Sequence, residues 1–215
     1  MRIGDDVAYK QKKEKLEVKR SVSIVLVVAA LIATGCVKKK QPVVYGKPDK
    51  TPYSIKECLR ELARGSEIRK EWLIDRLEAF KKERKIMGYR NGKVVFESKM
   101  SLGKNADKGN KLQAGDYRTP EGFYRIVRKK CDPRLYRSLM ISYPNNADIK
   151  RARARGVSPG GYITIHGQPK WNADGHGDSY TLAHDWTEGC MAVPNKKMAQ
   201  LWAGVKNGTP ITIHP

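Results

Sequence analysis

The chain has 215 residues, enough for one domain with its own hydrophobic core and an additional segment. Its 43 Lys and Arg against 22 Asp and Glu give a formal net charge of +21, which favours association with polyanions such as an acidic cell envelope, anionic lipid or nucleic acid. No basic run is interleaved with aromatic residues, and no Gly-rich phosphate loop follows a predicted strand. Composition and motifs therefore argue against a nucleic-acid partner and against a nucleotide.

Residues 1–35 are predicted to be an export signal. Their apolar run, 22–33, is shorter than the ~20 residues that a membrane-spanning helix needs, and two basic residues directly precede it. The run leads through small residues to Cys36, a pattern that resembles the lipobox of bacterial lipoproteins and predicts lipidation of Cys36. Ala33 stands where that motif prefers Leu, so a buried or stop-transfer segment is the alternative.

Residues 36–53 are rich in Lys and Pro and have no sustained apolar period, which predicts a basic, extended tether. With Cys36 lipidated, the mature protein is expected to be exported and anchored to a membrane on the periplasmic side. Val37, rather than Asp, follows the cysteine, which favours the outer membrane in a bacterium with two membranes.

The cysteine count supports a reactive thiol. If Cys36 carries lipid, Cys58, Cys131 and Cys190 remain in an oxidising compartment, and an odd number leaves one of them free. Cys58 and Cys131 either form a disulfide or both remain buried thiols. Either arrangement leaves Cys190 as the candidate reactive residue.

Residues 54–80 are predicted to form a helical N-terminal segment with two packing helices. The first begins behind a Ser54 cap and ends at Gly65, and the second begins at Ser66. The first helix has apolar residues at i, i+3, i+4 and i+7, namely Ile55, Cys58, Leu59 and Leu62. The stripe of the second helix consists of Leu73, Leu77 and Phe80.

Residues 81–215 read as a mainly β body with a few flanking helices, α+β overall. The dipeptide Asn91-Gly92 lies between two strand-like runs and is typical of a type I′ hairpin turn. Further strands are predicted over residues 122–127, 138–143, 161–166 and 210–214. One late helix is predicted after Pro194, with an apolar stripe of Met198, Leu201, Trp202 and Val205.

His166 and Cys190 are the candidate reactive pair. His166 ends a strand in which Tyr162 and Thr164 share its face, and Gly167 permits a turn, a close backbone approach and access to the imidazole. Cys190 stands where a loop enters a strand, so backbone N–H groups can converge there on an anion. A free cysteine is only ~5% thiolate near pH 7 and needs a base beside it, which His usually provides.

Two other uses of these residues remain open. His166 could instead be a hydrogen-bonded structural residue and Cys190 a small buried residue, because the sequence pattern would be the same in both cases. A zinc site could combine His166, His176, His184 and Cys190, although their spacing fits no common zinc pattern, so no metal is predicted.

Two motifs in the right order carry a family resemblance. His166-Gly167 ends a strand, and Thr187-Glu188-Gly189-Cys190 follows, with 24 positions from His to Cys. The upstream segment 115–124, GDYRTPEGFY, is similar to a GD-x-x-TPEG-x-Y segment. Residues 81–215 therefore resemble the L,D-transpeptidase catalytic-domain (YkuD-like) family.

The resemblance implies a peptidoglycan L,D-transpeptidase with its sandwich- or barrel-like catalytic fold and no cofactor. Cys190 would attack the L,D bond of a tetrapeptide stem, and His166 would accept and donate the proton. The stem would pass from the thioester to an amine, giving a 3-3 cross-link. Thr187, Gly189 and Gly167 would support the oxyanion or the loop. The alternatives are a peptidoglycan amidase or carboxypeptidase on the same fold, and a non-catalytic wall-binding lipoprotein.

The resemblance has two departures near the thiol. Family members often carry His directly before the Gly-Cys pair and Arg or Asn two residues after Cys, where this chain has Glu188 and Ala192. Substrate or acyl acceptor is therefore expected to differ from those of the commonest members. A carboxylate aimed at the sulfur would raise the thiol pKa, so we expect Glu188 to face solvent or substrate amines.

Overall fold

The structure, a computed structural model, describes residues 54–169 and 177–215. The predicted export signal at residues 1–35, the lipidated Cys36, the tether at residues 36–53 and His176 lie outside these ranges. Within the described ranges, no helix has both the length and the apolar character needed to cross a bilayer.

The mainly β prediction is confirmed by one eight-stranded sheet with the strand order β3-β2-β1-β8-β4-β5-β6-β7. Its strands are β1 Arg76–Phe80, β2 Lys85–Arg90, β3 Lys93–Lys99, β4 Gly122–Cys131, β5 Arg137–Ile141, β6 Thr164–His166, β7 Met191–Ala192 and β8 Pro210–His214. The predicted hairpin turn is also confirmed, because Asn91 and Gly92, which join β2 to β3, both have the positive φ that a type I′ turn requires.

In the described part of the chain, four helices flank the sheet: α1 Ile55–Ala63, α2 Asn146–Arg153, α3 Gly177–Thr181 and α4 Asn195–Gly204. Short 3₁₀ turns cover Lys70–Trp72 and Ala106–Lys108. The late helix and its stripe are confirmed, and Met198, Leu201 and Trp202 of α4 are fully buried in the core. A Cβ on Gly204 would clash with the carbonyl of Trp72, so α4 packs very closely on the first 3₁₀ turn.

The second predicted helix, from Ser66 towards Phe80, is wrong. Residues Arg76–Phe80 form β1, which pairs antiparallel with β2 and parallel with β8. Its burial alternates, with Leu77 and Ala79 fully buried, as expected for a strand with one face on the core. The spacing of Leu73, Leu77 and Phe80 imitates a helical stripe, but pairing with two neighbouring strands determines the conformation.

Helix α2 was not predicted, although its start carries a recognisable signal. The Asn145 side chain accepts a hydrogen bond from the Asp148 N–H, and the Asp148 carboxylate accepts one from the Asn145 N–H. This reciprocal pair is a capping box, with Asp where Glu or Gln is more usual.

Helix α1 is attached to the sheet by a disulfide and by an ion-pair network. Cys58 of α1 and Cys131 at the end of β4 form the disulfide, which settles the alternative that the sequence left open. Glu61 of α1 accepts hydrogen bonds from the Arg137 guanidinium at 2.6 Å and from the Trp202 indole N–H at 2.9 Å. These contacts fasten α1 to β4, to β5 and to α4.

Candidate active site

Parallel pairing of the short strands β6 and β7 brings the motif that contains His166 next to the motif that ends at Cys190. Ile165 of β6 lies opposite Met191 of β7, and His166 lies opposite Ala192. The same register places Cys190 level with Thr164, two residues before His166. The long stretch between His166 and Cys190 therefore returns the thiol to the strand that carries the imidazole.

The Cys190 thiol is half-buried and surrounded by polar groups of β6. The Thr164 N–H and hydroxyl donate to its Sγ at 3.4 and 3.5 Å, and the Tyr162 carbonyl lies 3.7 Å away. Burial alone would raise the thiol pKa, but a hydrogen bond and charge interaction with His166, together with the Thr164 donors, outweigh it. The pKa of Cys190 is therefore lowered, which enriches the nucleophilic thiolate.

The His166 ring is held in one orientation by its neighbours. Its Nδ1 lies 2.7 Å from the Gly167 carbonyl, which can only accept a hydrogen bond, so Nδ1 carries the proton. The free lone pair of the neutral ring is then on Nε2, the nitrogen available to the thiol. The ring is 1% exposed and packs edge-on against Trp186 at a centroid distance of 5.7 Å.

Gly167 was predicted to permit a turn, a close backbone approach and access to the imidazole, and the structure confirms the close approach. A Cβ at this position would lie 2.5 Å from Asn195 Oδ1 and 2.8 Å from Tyr136 Cβ. The Gly167 N–H donates to the Arg137 carbonyl at 3.1 Å. Gly167 therefore lets the chain after His166 pack directly on β5 and α4.

Thr187 and Gly189 shape the loop that presents the thiol. The Gly189 N–H donates to Thr187 Oγ1 at 3.1 Å, and the Thr187 hydroxyl donates to the Cys190 carbonyl at 2.8 Å. Gly189 has a φ of +131°, and a Cβ there would lie 2.7 Å from the Arg118 carbonyl. Because Thr187 already engages the Gly189 N–H, these two residues act here as loop support rather than as an open oxyanion hole.

Removal of the Thr187 hydroxyl is expected to weaken the loop. Thr187→Val leaves the buried Gly189 N–H without its acceptor and should lower the free energy of unfolding by ~1–3 kcal/mol, the usual consequence of an unpaired buried polar group. Thr187→Ser keeps the hydroxyl and is the matched control. Urea unfolding checks the difference, and equal midpoints for the two variants would contradict the assigned role.

The start of the same loop is held by the Asp185 carboxylate, a contact that was not predicted from the sequence and is called the Arg84–Asp185 clamp below. Asp185 accepts hydrogen bonds from the Arg84 guanidinium at 2.7 and 3.2 Å and from the Leu102 N–H at 2.8 Å. The Thr187 N–H in turn donates to the Leu102 carbonyl at 3.0 Å. Arg84 lies in the turn between β1 and β2, 101 residues from Asp185, so no local pattern could connect them. Thr164, by contrast, could have been found, because it precedes His166 on the same strand face.

The thiol and imidazole open into a groove of roughly 1280 Å³. Thr164, His166, Thr187, Glu188 and Cys190 line it, so the predicted pair and most of its predicted neighbours meet there. Its wall also includes the exposed Tyr162, which has a φ of +58°. That backbone conformation explains why β6 begins at Thr164 rather than at residue 161 as predicted. Glu188 is exposed, as expected, and does not contribute to the pKa shift of the thiol.

Metal ligation was the alternative use of these side chains. Within residues 54–169 and 177–215, no three His, Cys, Asp or Glu side chains come together in a way that could hold a metal ion. His184 packs edge-on against Tyr180 at a centroid distance of 5.5 Å.

A mainly β domain with a cysteine and a histidine in contact at an open groove has the kind of thiol site that acyl-transfer enzymes use. The sequence profile of the YkuD family, described as the L,D-transpeptidase catalytic domain, matches residues 74–213, more than half of the chain. The chain belongs to this family, whose members act on peptidoglycan stem peptides. The match begins at residue 74, ahead of the predicted boundary at 81, and so includes β1.

Among curated relatives, the chain is 43% identical over 61 residues to "Putative L,D-transpeptidase YafK" of Escherichia coli K12. This alignment covers 27% of the chain and 23% of YafK, so it spans less than a quarter of the relative's length. Among solved structures, the helical cell shape determining protein Pgp2 of Campylobacter jejuni is 25% identical with a TM-score of 0.48, covering 74% of this chain and 55% of Pgp2. Bd1075 of Bdellovibrio bacteriovorus is 26% identical with a TM-score of 0.46, covering 68% of this chain and 50% of Bd1075.

Proposed function

We propose that the protein is a peptidoglycan L,D-transpeptidase that uses Cys190 as nucleophile and His166 as proton acceptor and donor. The observation that carries this proposal is the contact between the Cys190 thiol and the His166 imidazole, with a lowered thiol pKa, in an open groove. Family membership supplies the substrate class, since these domains act on stem peptides.

The first half-reaction forms a thioester. His166 Nε2 takes the thiol proton, and the sulfur attacks the carbonyl of the L,D bond between diaminopimelate and terminal D-Ala of a tetrapeptide stem. The C–N bond breaks as His166 returns the proton to the leaving amine, and D-Ala departs. The Nδ1–H···O=C bond to Gly167 supports this step because it holds the ring in orientation while Nε2 exchanges protons.

The second half-reaction transfers the stem. An amine on a second stem attacks the thioester carbonyl, a new C–N bond forms, and the C–S bond breaks to release the Cys190 thiolate. His166 accepts the amine proton and returns it to the Cys190 thiolate, which regenerates the starting thiol and neutral imidazole. The product is a 3-3 cross-link, and the activity belongs to cell-wall remodelling and cell shape.

The setting of this reaction is proposed from the sequence alone. Export through residues 1–35, lipidation at Cys36 and a basic tether over residues 36–53 would hold the enzyme on the periplasmic side of a membrane, in reach of the wall. Metabolic labelling with a fatty acid tests this, and lipid should be lost in Cys36→Ala. Label retained in that variant would contradict it.

The products formed from defined tetrapeptide muropeptides test the proposed reaction. Purified protein should release D-Ala and produce a dimer whose mass is that of a tripeptide donor plus an intact acceptor less one water, and Cys190→Ala should do neither. Tripeptide without dimer would favour the carboxypeptidase alternative. Cleavage of another amide, again without dimer, would favour an amidase, and unchanged substrate would favour a non-catalytic wall-binding protein.

A further inference from the structure

We propose that Glu188 selects a cationic primary amine as the acceptor that resolves the Cys190 thioester, an inference that rests on the acyl transfer proposed above. Glu188 is exposed, lines the groove and precedes the nucleophile by two residues. Its carboxylate is therefore available to a ligand approaching the thioester.

Two other carboxylates at or near the groove are already paired with cations. Asp116 accepts a hydrogen bond from Lys111 at 2.6 Å, and both side chains are almost fully buried. Asp132 lies 3.5 Å from the Lys130 ammonium and 3.8 Å from the Arg134 guanidinium. Glu188 differs from both, because it forms no ion pair with any residue in the described parts of the chain.

Lys104 is a cation beside the loop that carries Glu188, and its ammonium contacts another group. The Lys104 N–H donates to the Thr187 carbonyl at 3.0 Å, which places Lys104 beside the loop that carries Glu188. The Lys104 ammonium nevertheless lies over the Tyr117 ring, 5.5 Å from its centroid, in a cation–π contact. Among the residues that the structure describes, the Glu188 carboxylate therefore has no ion-pair partner.

A carboxylate at this position affects which nucleophile reaches the thioester. Alkyl amines are ammonium ions at neutral pH, so Coulomb attraction to Glu188 raises their concentration beside the sulfur, whereas water gains nothing from it. The ammonium must lose one proton to solvent before it attacks. The neutral amine then forms the C–N bond, its second proton passes to His166 Nε2, and Cys190 leaves as thiolate.

Two small amine acceptors of nearly equal shape but different charge separate the effect of acceptor charge from that of acceptor size. Ethylamine is cationic at neutral pH, and methoxyamine is not. Both are supplied to the protein with a tetrapeptide donor, and the amide products are counted by mass. The selectivity is the ratio of ethylamine to methoxyamine product. Glu188→Gln should lower this ratio by about two- to fivefold at low salt, the range expected for an exposed ion pair, and added salt should remove the difference.

Further variants make the result decisive. Glu188→Asp keeps the charge and should restore most of the selectivity, and Glu188→Lys should lower it further. Glu97→Gln, at an exposed carboxylate on β3 outside the groove, should leave the ratio unchanged. Equal ratios in wild type, Glu188→Gln and Glu188→Lys, with product still forming, overturn the role of Glu188 and leave the proposed transpeptidase intact. Absence of any thioester or amide product overturns both.

Discussion

Replacement of His166 by Ala should slow the reaction of Cys190 with iodoacetamide and with a tetrapeptide donor by ~10²–10⁴-fold, the usual contribution of a positioned general base. The physical reason is that opposing interactions determine the pKa of the Cys190 thiol. Burial raises the thiol pKa, and the interactions with His166 are the largest of those that lower it. Without the imidazole the thiol pKa should rise, and the pH at which alkylation reaches half its maximal rate should shift upward.

Two variants separate this electrostatic effect from damage to the fold. His166→Asn retains an N–H near the Gly167 carbonyl but has no basic nitrogen, so it should be as slow as the Ala variant. His214→Asn alters a histidine that stacks on Phe80 outside the groove and should react at the wild-type rate. An alkylation profile in His166→Ala with the wild-type midpoint would contradict the account.

Loss of the disulfide should have the largest effect on stability. Cys58 and Cys131 are 73 residues apart and both are buried. A cross-link closing a loop of that length stabilises the fold by about 4 kcal/mol in the loop-entropy estimate. The double variant Cys58→Ala/Cys131→Ala should lose about this much free energy of unfolding in urea, because the unfolded chain gains freedom and α1 loses its attachment to β4.

Chemical reduction of the Cys58–Cys131 disulfide provides a comparison with the double variant. Wild-type protein treated with dithiothreitol should approach the stability of the double variant, and the same treatment should leave the double variant unchanged. The Glu61–Arg137 ion pair would still hold α1 loosely. Equal stability of oxidised wild type and the double variant would show that the cross-link does not constrain the unfolded state.

Much of the site could be predicted because its parts are local motifs. The strand that ends at His166 and the loop that enters a strand at Cys190 each have a recognisable pattern, and the parallel pairing of β6 with β7 brings them together. Asn91-Gly92 fixed the hairpin for the same reason, since two positive φ angles require such residues. A reactive side chain or a turn that depends on only a few consecutive residues can therefore be predicted from the sequence alone.

The predictions that failed, and the contacts that were not predicted, concern places where segments far apart in the sequence determine the local conformation. Strand β1 was taken for a helix because its apolar spacing is ambiguous, and only β2 and β8 on either side determine its conformation. The Arg84–Asp185 clamp and the packing of Asn195 against Gly167 join residues far apart in sequence. The particular neighbours that require glycine at position 167, Tyr136 and Asn195, could not be predicted for this reason.

The most direct test of the central claim is the mass of the protein during turnover. Acid quenching after mixing with a tetrapeptide donor should trap a species heavier than the free enzyme by the tripeptide acyl group, which is the tripeptide stem less one water, and peptide mapping should place that mass on Cys190. Donor consumption without such an adduct, or an adduct that persists in Cys190→Ala, would contradict the claim that this sulfur carries the stem.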